Sequence, residues 1–304
     1  MSKIISVSYE FNVEIVHKQM IKNTDLQAIL VGVGLGFELP ILVLSIHQRN
    51  TALTVLSTLL AALLAGTLVW VLVGESNVSH HVAHVPTQGD FMIPTTMDTI
   101  YTPLRRGIPW EPHVQKALEE EILPGDNVID AGAHIGTFTI VMANQVGPTG
   151  VVFAFEPIPS TQQLLRNNVA MNKQNNVMIL PYALADIDGG TVTMKVPSSN
   201  RGNASITAND SNGIQVQRRT LDSLMRDVDT KGTPMPTIKA MKIDVEGEEV
   251  NLLRGAKELL IRDKPVIVIE MWENTKEAIT NELSTQGYSV KSIGGADYIA
   301  RSVK

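Results

Sequence analysis

Four apolar runs in this chain end in acid: one at Asp130, one at Glu156, one at Asp244 with Glu246 two residues on, and one at Glu270. Carboxylates so placed can accept hydrogen bonds from ligand hydroxyls, attract a cation or take up a proton. The first run leads into Asp130-Ala-Gly-Ala-His-Ile-Gly136, whose glycines at 132 and 136 allow a tight turn and close backbone approach to a ligand at a helix N-terminus. Ala133 and His134 lie inside that turn. Glu156 follows about 20 residues beyond it, the spacing at which an acid can hold both hydroxyls of a ribose. Asp244, Glu246 and Glu270 are expected to face one crevice, where mutual repulsion raises at least one pKa toward that of a useful base. The same three could instead gather a divalent cation, though no metal site is assigned. Asp244 ranks first as base or hydroxyl-orienting group, with Glu246 and Glu270 as partners. Glu248 and Glu249 read as acids complementing a helix dipole.

The elements needed to hold these residues alternate. Strand-like runs at 127–130, 151–156, 177–182, 238–245 and 266–270 are interleaved with helical periodicity at 136–145, 161–172, 248–262 and 275–286, and strands at 289–292 and 298–302 close the chain. This predicts a parallel, doubly wound α/β sheet with ligands at the carboxyl ends of its strands. Runs at 191–196 and 215–219 bracket a Ser/Asn/Gly-rich insertion containing Asn200, Arg201 and Asn203, which with Arg105, Arg106 and Trp110 are candidates for a substrate edge. A dinucleotide site wants Gly-x-Gly-x-x-Gly at the first turn, and the chain does not offer it.

Composition narrows the rest. The 304 residues carry 25 basic and 31 acidic side chains, a net charge of −6, which argues against nucleic acid as a partner. With no cysteine, disulfide scaffolds, thiolate metal sites and cysteine nucleophiles are excluded. Only 18% of residues are charged against roughly 25% in ordinary soluble domains, so apolar residues are concentrated somewhere. They concentrate at 51–74, free of charge and proline, and at 26–46, which includes Glu38 and Pro40. At about 1.5 Å per residue either can cross a hydrocarbon core of roughly 30 Å, so one or two transmembrane helices and a membrane location are expected. Lys18 and Lys22 against Arg49 favour a cytosolic catalytic side. Gly32, Gly34 and Gly36 read as a helix-packing face. The expected organisation is a tail over 1–25 with a short strand near Ile5 to Ile15, spans at 26–46 and 51–74, a linker over 75–109, and a catalytic domain over 110–304. His80, His81 and His84 cluster in the linker without carboxylates to complete a metal site.

The segments VIDAGAHIGTFT (128–139), FEP (155–157), YALAD (182–186), TLDSL (220–224) and above all MKIDVEGEEVNLLRGA (241–256) resemble those of FkbM-type methyltransferases, over about two-thirds of the chain. The resemblance implies a Rossmann-like class I methyltransferase sheet, S-adenosyl-L-methionine as cofactor, and O-methylation of a glycan or other hydroxylated small-molecule acceptor, lipid-linked if the membrane is near. It implies that Gly132, Ala133 and Gly136 surround the methionine part of the cofactor. Asp130 organises the turn or meets the amino group, Glu156 holds the ribose, and Ala183, Leu184 and Asp186 border the adenine. His134 either bonds the cofactor carboxylate or caps the helix. Two other readings stay open: a nicotinamide-dependent sugar-modifying enzyme, which lacks its Tyr-x-x-x-Lys pair here, and a cofactor-binding scaffold without turnover.

Overall fold

A computed structural model describes residues 14–23, 26–34, 79–95, 99–195, 205–206, 213–229 and 236–303. The chain divides into two compact units, Met1–Ser79 and His80–Lys304. In the first, β1 (Glu14–Asn23) pairs antiparallel with β2 (Leu26–Gly34), from Asn23 opposite Leu26 to Glu14 opposite Gly34. Of the strand expected near Ile5 to Ile15, residues 5–13 lie outside the described residues, and Glu14 and Ile15 open β1.

This pairing corrects the first expected span. Residues 26–34 are strand, and Gly32 and Gly34 belong to a ladder rather than a helix face. Ile29, Val31 and Val33 are β-branched and the two glycines are poor helix formers, so local preference favours the extended form. Among the described residues no helix is long and apolar enough to cross a membrane. The expected membrane localisation is corrected accordingly; 35–46 and the second expected span, 51–74, lie outside the described residues.

The second unit opens with a hairpin, β3 (His80–Val85) and β4 (Gly89–Pro94), followed by α1 (Tyr101–Leu104) and α2 (Pro112–Glu121). Then come β5 (Asn127–Ala131), α3 (Thr137–Val146), β6 (Val151–Phe155), α4 (Pro159–Met171) and β7 (Val177–Leu180). A small sheet follows, of β8 (Ala183–Leu184), β9 (Thr191–Lys195), β10 (Ser205–Ile206) and β11 (Ile214–Arg219), in which β9 and β11 pair antiparallel as the bracketing runs predicted. The chain continues through α5 (Leu221–Asp229), β12 (Ile238–Ile243), α6 (Glu249–Gly255), α7 (Lys257–Asp263), β13 (Val266–Glu270), α8 (Lys276–Thr285), β14 (Tyr288–Gly294) and β15 (Asp297–Ser302).

The main sheet has the order β14-β15-β13-β12-β5-β6-β7. Its five strands from β13 to β7 are parallel, while β15 runs antiparallel to β13 and β14 antiparallel to β15. The sheet is therefore mixed, not wholly parallel. Gly295 and Ala296 alone join β14 to β15, too short for a crossover helix, and Gly294 and Gly295 at φ 131° and 56° make the reversal. The central strands are buried on both faces, which is why they read as continuous apolar runs. One core layer joins the sheet to α5–α8 through residues such as Met241, Leu253 and Ile269; the other joins it to α2 and α3 through Leu118, Phe138 and Met142.

The stretch expected as a linker contains β3, β4 and α1, whose Val85, Phe91, Ile93 and Leu104 pack with Ile135 and Ile140. Asn168 on α4 and Asn172 at its C-cap satisfy the backbone of β4. Asn172 Oδ1 accepts from Asp90 N at 2.9 Å and its Nδ2 donates to Asp90 O at 2.7 Å, while Asn168 Oδ1 accepts from Met92 N at 2.7 Å. Asn168 Nδ2 also donates to Ile135 O at 2.8 Å, tying the hairpin to the glycine turn. The helix expected over 248–262 breaks at Ala256. Just before the break, a Cβ at Gly255 would stand 2.0 Å from Ala185 O, so glycine alone lets α6 approach the end of β8.

Candidate active site

The sheet order reverses between β5 and β12, and a cleft with about 740 Å³ of empty space, open solvent included, lies at the carboxyl ends of the strands there. The turn after β5 forms its floor. Gly132 N and Ala133 N both donate to Phe155 O, at 3.0 and 2.9 Å, holding the turn against the end of β6. Gly132, His134 and Gly136 adopt φ of 81°, 50° and 96°. A Cβ at Gly132 would lie 1.8 Å from Asp244 O, and one at Gly136 2.7 Å from Leu165 Cδ1. Gly132 is thus required by conformation and by contact with backbone, and Gly136 by its conformation.

Gly132, His134, Glu156, Ala183 and Leu184 line the cleft, as do Asp244 and Glu246. The buried Glu156 carboxylate accepts from His134 N at 3.0 Å through Oε2 and from Ile158 N at 2.8 Å through Oε1. Burial pushes its pKa up to about 7, against the two backbone bonds that favour the charged form. The His134 ring stacks on Tyr101, centroids 5.7 Å apart, with the Tyr101 hydroxyl 3.4 Å from Nε2. Ala133 is buried and packs against Leu165 and Val169.

Two of the sequence candidates lie elsewhere. Asp130 is fully buried beneath the turn; Oδ2 accepts the Thr139 hydroxyl at 2.5 Å and Oδ1 has no hydrogen-bond partner. Burial raises its pKa, opposed by Lys242 and by the Thr139 bond. Asp186 is exposed and outside the cleft lining. Asp188 organises that corner instead, accepting from Thr220 N at 2.8 Å, Ser223 Oγ at 2.6 Å and Arg219 Nε at 3.1 Å, and so binds the segment after β8 to the TLDSL turn.

At the reacting end, Lys242 and Asp130 are direct neighbours across the β12–β5 ladder, and Lys242 Nζ donates to Asp244 Oδ2 at 2.9 Å. Burial opposes charge on Lys242, but Asp244 and Asp130 outweigh it and raise its pKa. Glu246 at φ 54° and Gly247 at φ 99° form a left-handed turn, braced by Glu249 Oε1, which accepts from Val245 N and Gly247 N at 3.3 and 3.1 Å. Glu249 is thus structural, as its place at a helix start predicted. Burial, then Asp244 and Glu249, push Glu246 up to about 7. Glu270 lies outside the cleft lining but within the influence of its acids: burial, then Asp244, push it up to about 8, with Glu246 and Asp297 adding to the shift.

Several polar groups gathered here escaped the sequence reading. Glu111, at φ 41° before α2, is pushed up to about 7 by burial and then by Asp297. The fully buried Gln88 sets its place by clamping the preceding Trp110 backbone, donating to Trp110 O at 2.6 Å and accepting from Trp110 N at 2.9 Å. His113 Nε2 lies 2.7 Å from Asp297 Oδ2. Trp272 Nε1 donates to Glu270 Oε2 at 2.8 Å. The only signal available in the sequence was an acid or aromatic just outside an element's end. Of the proposed substrate edge, Arg105 donates to Pro94 O at 3.0 Å, and Asn200, Arg201 and Asn203 lie outside the described residues.

A parallel sheet with this order, closed by an antiparallel terminal hairpin and bearing a glycine turn with an acid at the next strand end, is the class I methyltransferase fold. The Methyltransferase FkbM domain matches residues 130–290, more than half of the chain, which therefore belongs to the FkbM methyltransferase family. Among relatives, Methyltransferase sdnD of Sordaria araneosa is 27% identical over 176 residues, covering 48% of this chain and 66% of its own. Methyltransferase 1 of Beauveria bassiana is 26% identical over 196 residues, 58% of this chain and 78% of its own. Hexuronic acid methyltransferase AglP of Haloferax volcanii is 28% identical over 163 residues, 54% of this chain and 63% of its own. The chain thus spans just under two thirds of the length of the first and third of these.

Proposed function

We propose that this chain is an S-adenosyl-L-methionine-dependent methyltransferase that O-methylates a hydroxyl of a sugar or glycan. The observation that carries the cofactor reading is the Glu156 carboxylate at the end of β6, held by two backbone N–H groups in the same cleft as the Gly132 turn. Each of its oxygens keeps a lone pair for a ribose hydroxyl. Gly132 leaves backbone where a side chain would block the floor, and Ala183 and Leu184 offer an apolar edge for a base. The acids beyond the turn suit a ligand with a positive centre.

When bound, S-adenosylmethionine supplies an electrophilic methyl group. Asp244 would orient the acceptor hydroxyl, its own position fixed by Lys242. Glu246, which lines the cleft with its pKa pushed up to about 7, is the carboxylate best poised to accept the hydroxyl proton near neutral pH; Glu270, pushed up to about 8, could do so once ionised at higher pH. The relative named for hexuronic acid methylation supports a sugar as acceptor class.

Calorimetric titration of the full chain with S-adenosylmethionine, S-adenosylhomocysteine and NADH tests the reading. Binding of the first two, lost in Glu156→Ala, is the expected result. Binding of NADH alone, or of none of the three by folded protein, would overturn it.

A further inference from the structure

The carboxyl ends of β12 and β13 and the amino end of β15 lie side by side and bring Asp244, Glu270 and Asp297 into one row. Glu270 and Asp297 are direct partners in the β13–β15 ladder. Two residues past Glu270 stands Trp272, a large apolar side chain left 57% exposed. Its backbone carbonyl accepts from Thr275 N and Lys276 N at 2.9 and 2.8 Å, anchoring the residue at the start of α8. Its indole N–H is committed to Glu270 Oε2, which sets the ring's orientation and leaves Oε1 able to accept from a ligand.

An exposed aromatic face beside a carboxylate suits one ligand chemistry in particular. A pyranose ring has an apolar C–H face to cover an indole and equatorial hydroxyls to donate to carboxylate oxygens. Charge narrows the choice further. Lys242 is bonded to Asp244 and His113 to Asp297, while Glu111, Glu246 and Glu270 complete the acidic set around them. At pH 8 and above, where these carboxyls ionise, an acceptor bearing its own carboxylate would meet like charges here.

We propose that Trp272 and Glu270 form the acceptor subsite and select a neutral sugar ring over the corresponding uronate. This rests on the methyltransferase reading. It would set this chain apart from the relative named for hexuronic acid, and makes Trp272 a specificity residue rather than a surface accident.

The test is saturation-transfer NMR and fluorescence titration of the full chain, saturated with S-adenosylhomocysteine, at pH 8. The probes are methyl gluco-, manno- and galactopyranoside and the methyl glycosides of glucuronic and galacturonic acid. At least one neutral pyranoside should bind about tenfold or more tightly than its uronide counterpart. Trp272→Ala should weaken that binding about tenfold, with Trp272→Phe keeping most of it and both variants retaining wild-type affinity for S-adenosylhomocysteine. Uronides binding as well as neutral sugars, unchanged sugar binding in Trp272→Ala, or no pyranoside binding by protein that does bind S-adenosylhomocysteine would each overturn the subsite alone. Failure to bind S-adenosylhomocysteine would overturn the methyltransferase reading and the subsite with it.

Discussion

Gly132 and Asp244 are in contact: a methyl group added at Gly132 would stand 1.8 Å from the Asp244 carbonyl oxygen. The floor of the cleft and the strand end that carries Asp244 are thus packed together, backbone against backbone. Gly132→Ala places a Cβ on backbone, which cannot swing away as a side chain would, and adds a left-handed strain of about 1–2 kcal/mol. The expected outcome is a lower Tm and at least about a tenfold weaker affinity for S-adenosylhomocysteine, about 1.4 kcal/mol. Thermal unfolding and calorimetry on one preparation check both.

Glu156 gives the cofactor site a pH dependence with a definite sign. Its pKa of about 7 means that the carboxyl is largely protonated at pH 6 and ionised at pH 8. Ribose hydroxyls donate to the ionised form, so affinity for S-adenosylhomocysteine should rise as pH increases through about 7 and level off above it. Glu156→Gln should bind more weakly at pH 8 and lose most of that rise. Calorimetry from pH 6 to pH 8.5 reads both curves.

The residues around Gly132 and Glu156 were legible because the information is local. A buried apolar strand, a glycine turn and an acid at the next strand end all fall within 30 residues of chain, and parallel pairing brings them together. The acceptor side was not legible in the same way. Glu111 precedes a helix, Asp297 follows a glycine bend and Trp272 sits in a turn; Trp272 follows the strand paired beside the one that leads to Asp244, and Asp297 reaches the same edge only through the antiparallel closure of β15 on β13. The run at 26–34 failed for another reason: an apolar stretch of β-branched residues and glycines carries no period that separates strand from helix.

Asn168 ties the β3–β4 hairpin to the glycine turn of the cleft. Fully buried, it accepts from Met92 N and donates to Ile135 O, so Asn168→Ala leaves a backbone donor and an acceptor unsatisfied. A loss of about 2–6 kcal/mol is expected, from about 1–3 kcal/mol for each buried group left unpaired. Urea unfolding measures it. Limited proteolysis should cut within 80–100 in the variant well before it does so in the wild-type chain.

Glu270 trades stability for reactivity. Its folded pKa of about 8 lies above the usual carboxylate value of 4.5, so the folded state holds this proton where the unfolded state has released it. Stability therefore falls as pH rises from about 4.5 to about 8. Glu270→Gln removes this penalty while keeping a group that can accept from Trp272. Its Tm should exceed that of the wild type by a margin that grows toward pH 8.5, at about 2–4 °C per kcal/mol recovered. A margin independent of pH would show that the carboxyl is not held protonated.

Asp244 separates catalysis from binding. Asp244→Asn keeps an oxygen able to accept from Lys242 but removes the charge proposed to orient an acceptor hydroxyl. Because Asp130 also lies beside Lys242, the buried ammonium keeps one counter-charge and the strand ends should hold their place. Methyl transfer to the best acceptor in the pyranoside panel should fall by about 10²–10⁴, the range for a lost acid–base group, with S-adenosylhomocysteine affinity within about threefold of wild type. A fall in KM-limited rate alone, with kcat unchanged, would reassign Asp244 to acceptor binding and leave Glu246 and Glu270 as the carboxylates that take the proton.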